Sequence, residues 1–162
     1  MTGVELVTRN PLPLVRGAAN ESEGVMSPDG KWLAYYSDQS GVGGVYLRSF
    51  ANPTHVSDAV RTVSSANALE PRWRADGKEL FYLERVGSLR RYRVVAVPFS
   101  GASANPLGTP QALFEFGGLH TVQQANVFSY APSPDGQRFL VNAYAADPQP
   151  SLDVFVNWRP GK

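Results

Sequence analysis

Ser27-Pro28-Asp29-Gly30-Lys31-Trp32-Leu33-Ala34-Tyr35-Tyr36 decides the fold, because variants of it occur three times in the chain. Pro28 presets φ at the first corner of a tight turn, Asp29 can bond its own backbone, and Gly30 supplies a position with φ > 0. The aromatic and branched run behind the turn reads as the second arm of a hairpin. The second copy is Arg74-Ala75-Asp76-Gly77-Lys78-Glu79-Leu80-Phe81-Tyr82, and the third is Ser133-Pro134-Asp135-Gly136-Gln137-Arg138-Phe139-Leu140-Val141. Counted from the turn aspartate, position +4 is Leu33, Leu80 and Phe139, and +6 is Tyr35, Tyr82 and Val141, which predicts burial at every second residue. Upstream, position −9 is Asn20, Asn67 and Asn126, and −6 is Glu23, Glu70 and Ser129.

Between the turns lie further short strands. After the first hairpin come Val45–Phe50 and Ala59–Ser64, with Ala51–Asp58 read as loop. The second unit repeats the order with 71–74, 79–84, 92–99 and 111–116, joined by a Gly/Ala/Ser/Pro loop over 101–110. The third holds 127–131, 138–144 and 152–158, and lacks a fourth strand. The turn aspartates are 47 residues apart (29 to 76) and then 59 (76 to 135). Four strands per repeat of roughly 40 to 50 residues is the signature of propeller blades. A β-sandwich also gives short strands, with turns every 8 to 12 residues or so. It does not require the same turn and the same flanking Asn once per four strands. The fold class expected is therefore an all-β propeller in one domain, with blades over about 17–64, 65–116 and 117–162. Residues 4–16 form an orphan outer strand, and no segment keeps a helical period.

Composition sets the outer bounds. The 162 residues suffice for one domain with a real core, and 43% hydrophobic, 11% aromatic and 18% charged residues describe an ordered globular chain. A net charge of +1 provides no field of one sign to attract a nucleic acid or an anionic membrane. The absence of cysteine excludes disulfides and thiolate chemistry. Met1–Asn10 shows no basic segment followed by an apolar one, so the chain is expected to stay where it is made unless a leader has been removed.

The repeated Ser-Pro-Asp-Gly-Lys-x-Leu-Ala-Tyr resembles the WD40-like repeat of TolB-type β-propellers. It is most similar to the propeller tails that follow some bacterial serine/threonine kinase domains. Those blades typically run Glu, Ser-Pro-Asp-Gly-Arg/Lys-Trp-Ile/Leu-Ala-Tyr, Ser-Asp-x-Ser-Gly and Val-Tyr-Val-Arg, which is similar here to Glu23, 27–35, 37–41 and 45–48. Their second blade matches Glu70–Tyr82, and their closing Asn-Trp pair matches Asn157-Trp158. The resemblance implies a propeller used for binding more than for chemistry. It departs from the tails in having no kinase motifs and only three blades, where that family usually builds about six and closed propellers run from about four to eight. Three blades leave apolar faces in need of a partner, and the simplest is a second copy whose Leu12–Arg16 completes the blade of Leu152–Trp158. Two chains would then form a six-bladed ring. The alternative is half of a longer protein.

Chemistry-bearing groups are sparse. No Gly-x-Ser-x-Gly elbow or Ser-x-x-Lys is present, and the two histidines, His55 and His120, fall in expected loops without a carboxylate pattern, so no catalytic residue, metal site or cofactor is assigned. Asp29, Asp76 and Asp135 read as turn-capping residues. Arg85, Arg90, Arg91 and Arg93 with Tyr92 have the composition of a nucleic-acid patch, but a charged hairpin tip also guards a sheet edge. The candidate binding residues are Asn20, Glu23, Asn67, Glu70, Asn126 and Ser129, which precede each innermost strand and would gather at the mouth of a propeller tunnel. Their structural alternative is that each Asn caps a turn between blades and each Glu bonds a neighbouring backbone. The function expected is a non-enzymatic binding or scaffold module, recognising a protein or small ligand on the tunnel face. The competing reading is a propeller hydrolase or lyase with its site in the tunnel.

Overall fold

A computed structural model describes residues 2–4, 11–15, 17–52, 55–64, 66–87, 90–118, 128–144 and 150–155. All regular structure among them is antiparallel β. The chain divides into two compact units, 1–71 and 72–162.

In the first unit, β1 (Thr2–Val4) pairs with β2 (Pro11–Pro13). Residues 5–10 and 16 of the expected orphan strand lie outside the described residues. The first blade follows: β3 (Glu21–Met26), β4 (Trp32–Ser37), β5 (Gly44–Asn52) and β7 (Arg61–Ser64) lie in that order. The far end of β5 continues past Phe50 and pairs with β6 (His55–Val56), so His55 stands in a strand and not in the loop expected there. Leu33, Tyr35 and Tyr46 form a buried cluster with Val15, and Leu14 and Phe50 pack against it.

The second blade has the order β11 (Gln111–Gly117), β10 (Arg91–Pro98), β9 (Glu79–Arg85) and β8 (Ala68–Trp73), and the boundary between the units falls inside β8. The third sheet is β12 (Tyr130–Pro132), β13 (Phe139–Tyr144) and β14 (Pro150–Phe155). Candidate strand residues Val127, Asn157 and Trp158 lie outside the described residues.

Burial departs from the expected alternation where it is most informative. Trp32–Tyr35 and Leu80–Leu83 are buried without interruption, as happens when both faces of a strand are covered. In β13 burial alternates: Phe139, Val141 and Ala143 are buried, while Leu140 between them is 40% exposed.

The second unit shows how one blade stacks on the next. Phe81 of β9 meets Phe139 of β13 edge to face at 5.1 Å between ring centroids, and Phe114 of β11 meets the same ring at 5.4 Å. Ala75 N–H donates to Pro134 O at 3.2 Å. A Cβ on Gly136 would stand 2.8 Å from Arg74 Cδ and 3.1 Å from Phe81, so the turn of one blade is pressed against the other.

Candidate functional site

The thrice-repeated turn is one hydrogen-bonded device. In the first copy Ser27 Oγ donates to Asp29 Oδ1 (2.6 Å) and accepts from Trp32 N–H (2.9 Å), while Lys31 N–H donates to the same Asp29 oxygen (3.1 Å). The third copy repeats this with Ser133, Asp135, Gln137 and Arg138. Gly30, Gly77 and Gly136 all sit near φ +70°, at 71°, 71° and 69°, a region open to glycine at little cost. In the second copy Arg74 replaces the serine, and its guanidinium binds both oxygens of Asp76 (2.6 and 2.8 Å) and reaches Glu79 (2.6 Å). The Arg74 hydrogen bond pulls the Asp76 carboxyl down from 3.8 to about 2. Hydrogen bonds from Ser27 and Ser133 lower Asp29 and Asp135 in the same direction. These aspartates therefore hold turns together.

The candidate binding residues stand where β3 and β8 begin, and in the first unit they are engaged with the backbone. Glu23 and Glu70, both at position −6, have φ of 55° and 50°. At Glu23 the β3–β4 register shifts between Ser22 and Val25, which is a β-bulge. The bulge turns the Glu23 carboxylate out of its own ladder, and Oε2 accepts the N–H of Glu70 at 2.6 Å. Glu70 is itself buried, at 3% exposure. Asn20 closes on the end of β4: its N–H and Nδ2 donate to the two carboxylate oxygens of Asp38 at 2.8 and 2.6 Å, and Asp38 N–H returns to Asn20 O. Those two bonds lower the Asp38 carboxyl. Asn67 is exposed and left-handed, at φ 55°, and the next residue, Ala68, donates its N–H to Gly43 O.

The fold thus brings Glu23 to Glu70. In the second unit Ser129 is buried, with its carbonyl accepting Asn142 N–H at 2.8 Å. Asn126 and His120 lie outside the described residues. The residue that sequence reasoning passed over is Asp38, whose place in Ser37-Asp38-x-Ser40-Gly41 was visible only as a turn.

Within the arginine cluster, Arg91 and Arg93 are ion-paired. Arg93 pairs with Glu115 (2.6 Å) and Glu84 (3.1 Å), and Arg91 with Glu115 (3.0 Å). Cross-strand pairing of β10 with β11 and β9 puts opposite charges side by side. Among the described residues no group of three or more His, Cys, Asp or Glu is placed to hold a metal ion.

Solved structures share this fold. TolB from Acinetobacter baumannii superposes with a TM-score of 0.68 over 96% of this chain at 19% identity, and the chain spans 34% of TolB. A puromycin-hydrolysing peptidase from Mycobacterium tuberculosis gives 0.58 over 96% of this chain and 24% of its own, at 23% identity. The propeller domain of the trilobed protease from Pyrococcus furiosus gives 0.54 over 86% of this chain and 39% of its own, at 14% identity. No family model matches the sequence, and no curated protein matches it. The chain has the all-β fold of a partial propeller.

Proposed function

We propose that this chain is a non-enzymatic recognition module, and that it binds a protein or small ligand on the face where the innermost strands begin. The observation that carries the reading is the use made of the polar groups there. The Glu23 carboxylate is spent on the Glu70 backbone and the Asn20 side chain on Asp38, so these groups build a rigid rim. Exposed Asn67 stands on that rim with its backbone already set in a left-handed turn. A pre-formed polar rim lowers the ordering cost of binding. By the repeat register Asn126 and Ser129 belong to the same class of position. The residue-level resemblance to the propeller tails of bacterial kinases favours recognition over catalysis in the same way.

The test is peptide selection on the purified chain from a random display library. Enriched peptides should lose binding when Asn67→Arg is introduced and keep it in a Val42→Ser control placed elsewhere on the surface. Peptides indifferent to Asn67, together with turnover of chromogenic ester or peptide substrates or a stoichiometric metal surviving dialysis, would establish the hydrolase or lyase reading instead.

A further inference from the structure

The sequence contains three Asp-Gly pairs and no Asn-Gly pair, and the three are the turn pairs Asp29-Gly30, Asp76-Gly77 and Asp135-Gly136. Aspartate before glycine is especially open to internal cyclisation, because glycine has no Cβ to shield its peptide nitrogen. In that reaction the Gly nitrogen attacks Cγ of the protonated Asp carboxyl. A C–N bond forms, the amide proton and the carboxyl hydroxyl leave as water, and a five-membered succinimide results. Water then reopens the ring at either carbonyl. Opening at Cγ restores aspartate. Opening at the main-chain carbonyl gives isoaspartate, in which the chain runs through Cβ and Cγ and the carboxylate stands on Cα. No oxidant or reductant enters, and the mass of the chain is unchanged.

In the folded turns both reacting groups are engaged elsewhere. The Gly30, Gly77 and Gly136 N–H groups donate to Ser27 O, Arg74 O and Ser133 O at 2.8, 2.9 and 2.8 Å. Oδ1 of Asp29, Asp76 and Asp135 accepts the N–H of the residue two positions on, Lys31 (3.1 Å), Lys78 (3.0 Å) and Gln137 (3.0 Å). A side chain two positions upstream binds the same carboxylate: Ser27, Arg74 and Ser133 in turn. Cyclisation therefore requires the Gly N–H to leave its acceptor and the carboxylate to leave both donors at once.

The three guards are unequal. Ser27 and Ser133 each give one hydroxyl bond to their aspartate, whereas Arg74 binds both oxygens of Asp76 at 2.6 and 2.8 Å and is itself tied to Glu79 at 2.6 Å. Two ionic hydrogen bonds in a fork resist opening more than one hydroxyl does.

We infer that the three Asp-Gly turns are latent isoaspartate sites, closed by the hydrogen bonds that shape the hairpins, with Asp76 the most strongly guarded. Each site converts only when its own hairpin opens. The product outlasts the opening. The added main-chain carbon lengthens the turn, and the displaced carboxylate leaves the amide of Lys31, Lys78 or Gln137 without the acceptor the folded turn gave it. The inference concerns the turns alone and stands whether or not the rim binds a ligand.

Prolonged incubation of the intact chain near neutral pH, in native buffer and in guanidinium chloride, tests it. Trypsin places each turn aspartate in its own peptide, 17–31, 75–78 and 94–138, and isoaspartate in each is read by chromatography and fragment masses. In guanidinium the three sites should convert at similar rates, since glycine follows each of them. In native buffer all three should slow by at least about 10-fold, Asp76 the most. Ser27→Ala should raise conversion at Asp29 by about 10-fold, and Ser133→Ala at Asp135 by a similar factor, while the other two turns keep their native rates. Native rates equal to those in guanidinium would overturn the inference, and so would Asp76 converting as fast as Asp29 and Asp135. A serine variant that raises none of the turns, or all three together, would equally overturn it, the latter by showing that global unfolding and not the local bond controls the reaction.

Discussion

Removing the Glu23 carboxylate is the sharpest test of how the innermost strands are held. Its Oε2 takes the N–H of Glu70 at 2.6 Å, and Glu70 is 3% exposed, so no water replaces the lost acceptor without local opening. A hydrogen bond to a charged group contributes about 1.5–3 kcal/mol, and an orphaned buried donor costs a similar amount. Because Glu23 is only half-buried, Glu23→Ala should cost about 2 kcal/mol. For a chain of this length that corresponds to a fall in Tm of roughly 4–8 °C. The bulge separates two causes. Glu23 sits at φ 55°, so Glu23→Gly removes the same carboxylate while relieving about 1 kcal/mol of backbone strain, and should fall between wild type and Glu23→Ala. Glu23→Gln keeps a neutral acceptor and should cost about half as much as Glu23→Ala. The direct assay is amide exchange at Glu70, which should quicken by about 30-fold in Glu23→Ala if local opening carries the 2 kcal/mol. Unchanged exchange at Glu70, or identical losses for the Gly and Ala variants, would refute the assigned bond.

Three further outcomes follow from the same geometry. Gly136→Ala and Gly30→Ala share nearly the same φ, yet only Gly136 faces Arg74 and Phe81. Calorimetry should show a cost of about 1 kcal/mol for Gly30→Ala and about 2–3 kcal/mol for Gly136→Ala, and equal costs would deny the blade stacking its share. Asp76 has a folded-state pKa near 2, below its ordinary 3.8, so its contribution is present above about pH 4 and is lost as pH falls through 2. The Tm gap between wild type and Asp76→Asn should therefore be full at pH 6 and closed near pH 2; a gap independent of pH would show that Arg74 does not hold this carboxylate. Glu115→Gln releases Arg91 and part of Arg93, so the variant should bind heparin resin at higher salt than wild type, and identical elution would mean the ion pairs do not mask the arginines.

Much of this protein was legible without coordinates, because its information is local. Pro28, Asp29 and Gly30 specify a turn by φ and by side-chain hydrogen bonds within five residues, and the same chemistry at Asp76 and Asp135 locates three hairpins and the β architecture they repeat. The sequence also singled out positions −9 and −6 and listed backbone bonding among their possible roles. What tertiary structure alone decided is what each of them does. Alternation in a strand predicts that Glu23 points to one face; a bulge at φ 55° overrides that and sends it to Glu70, 47 residues away. Likewise Leu80, Phe81 and Leu140 look alike as residues in a strand, yet Phe81 is buried and Leu140 open, because burial depends on whether a neighbouring sheet covers that face. The arginine cluster reads as a charged hairpin tip in one dimension, and Arg91 and Arg93 become ion-paired once β9 and β11 flank β10. Turn chemistry acts over a few bonds and survives in the one-dimensional record. Coverage, pairing and strain arise from segments far apart in sequence, and only the folded chain contains them.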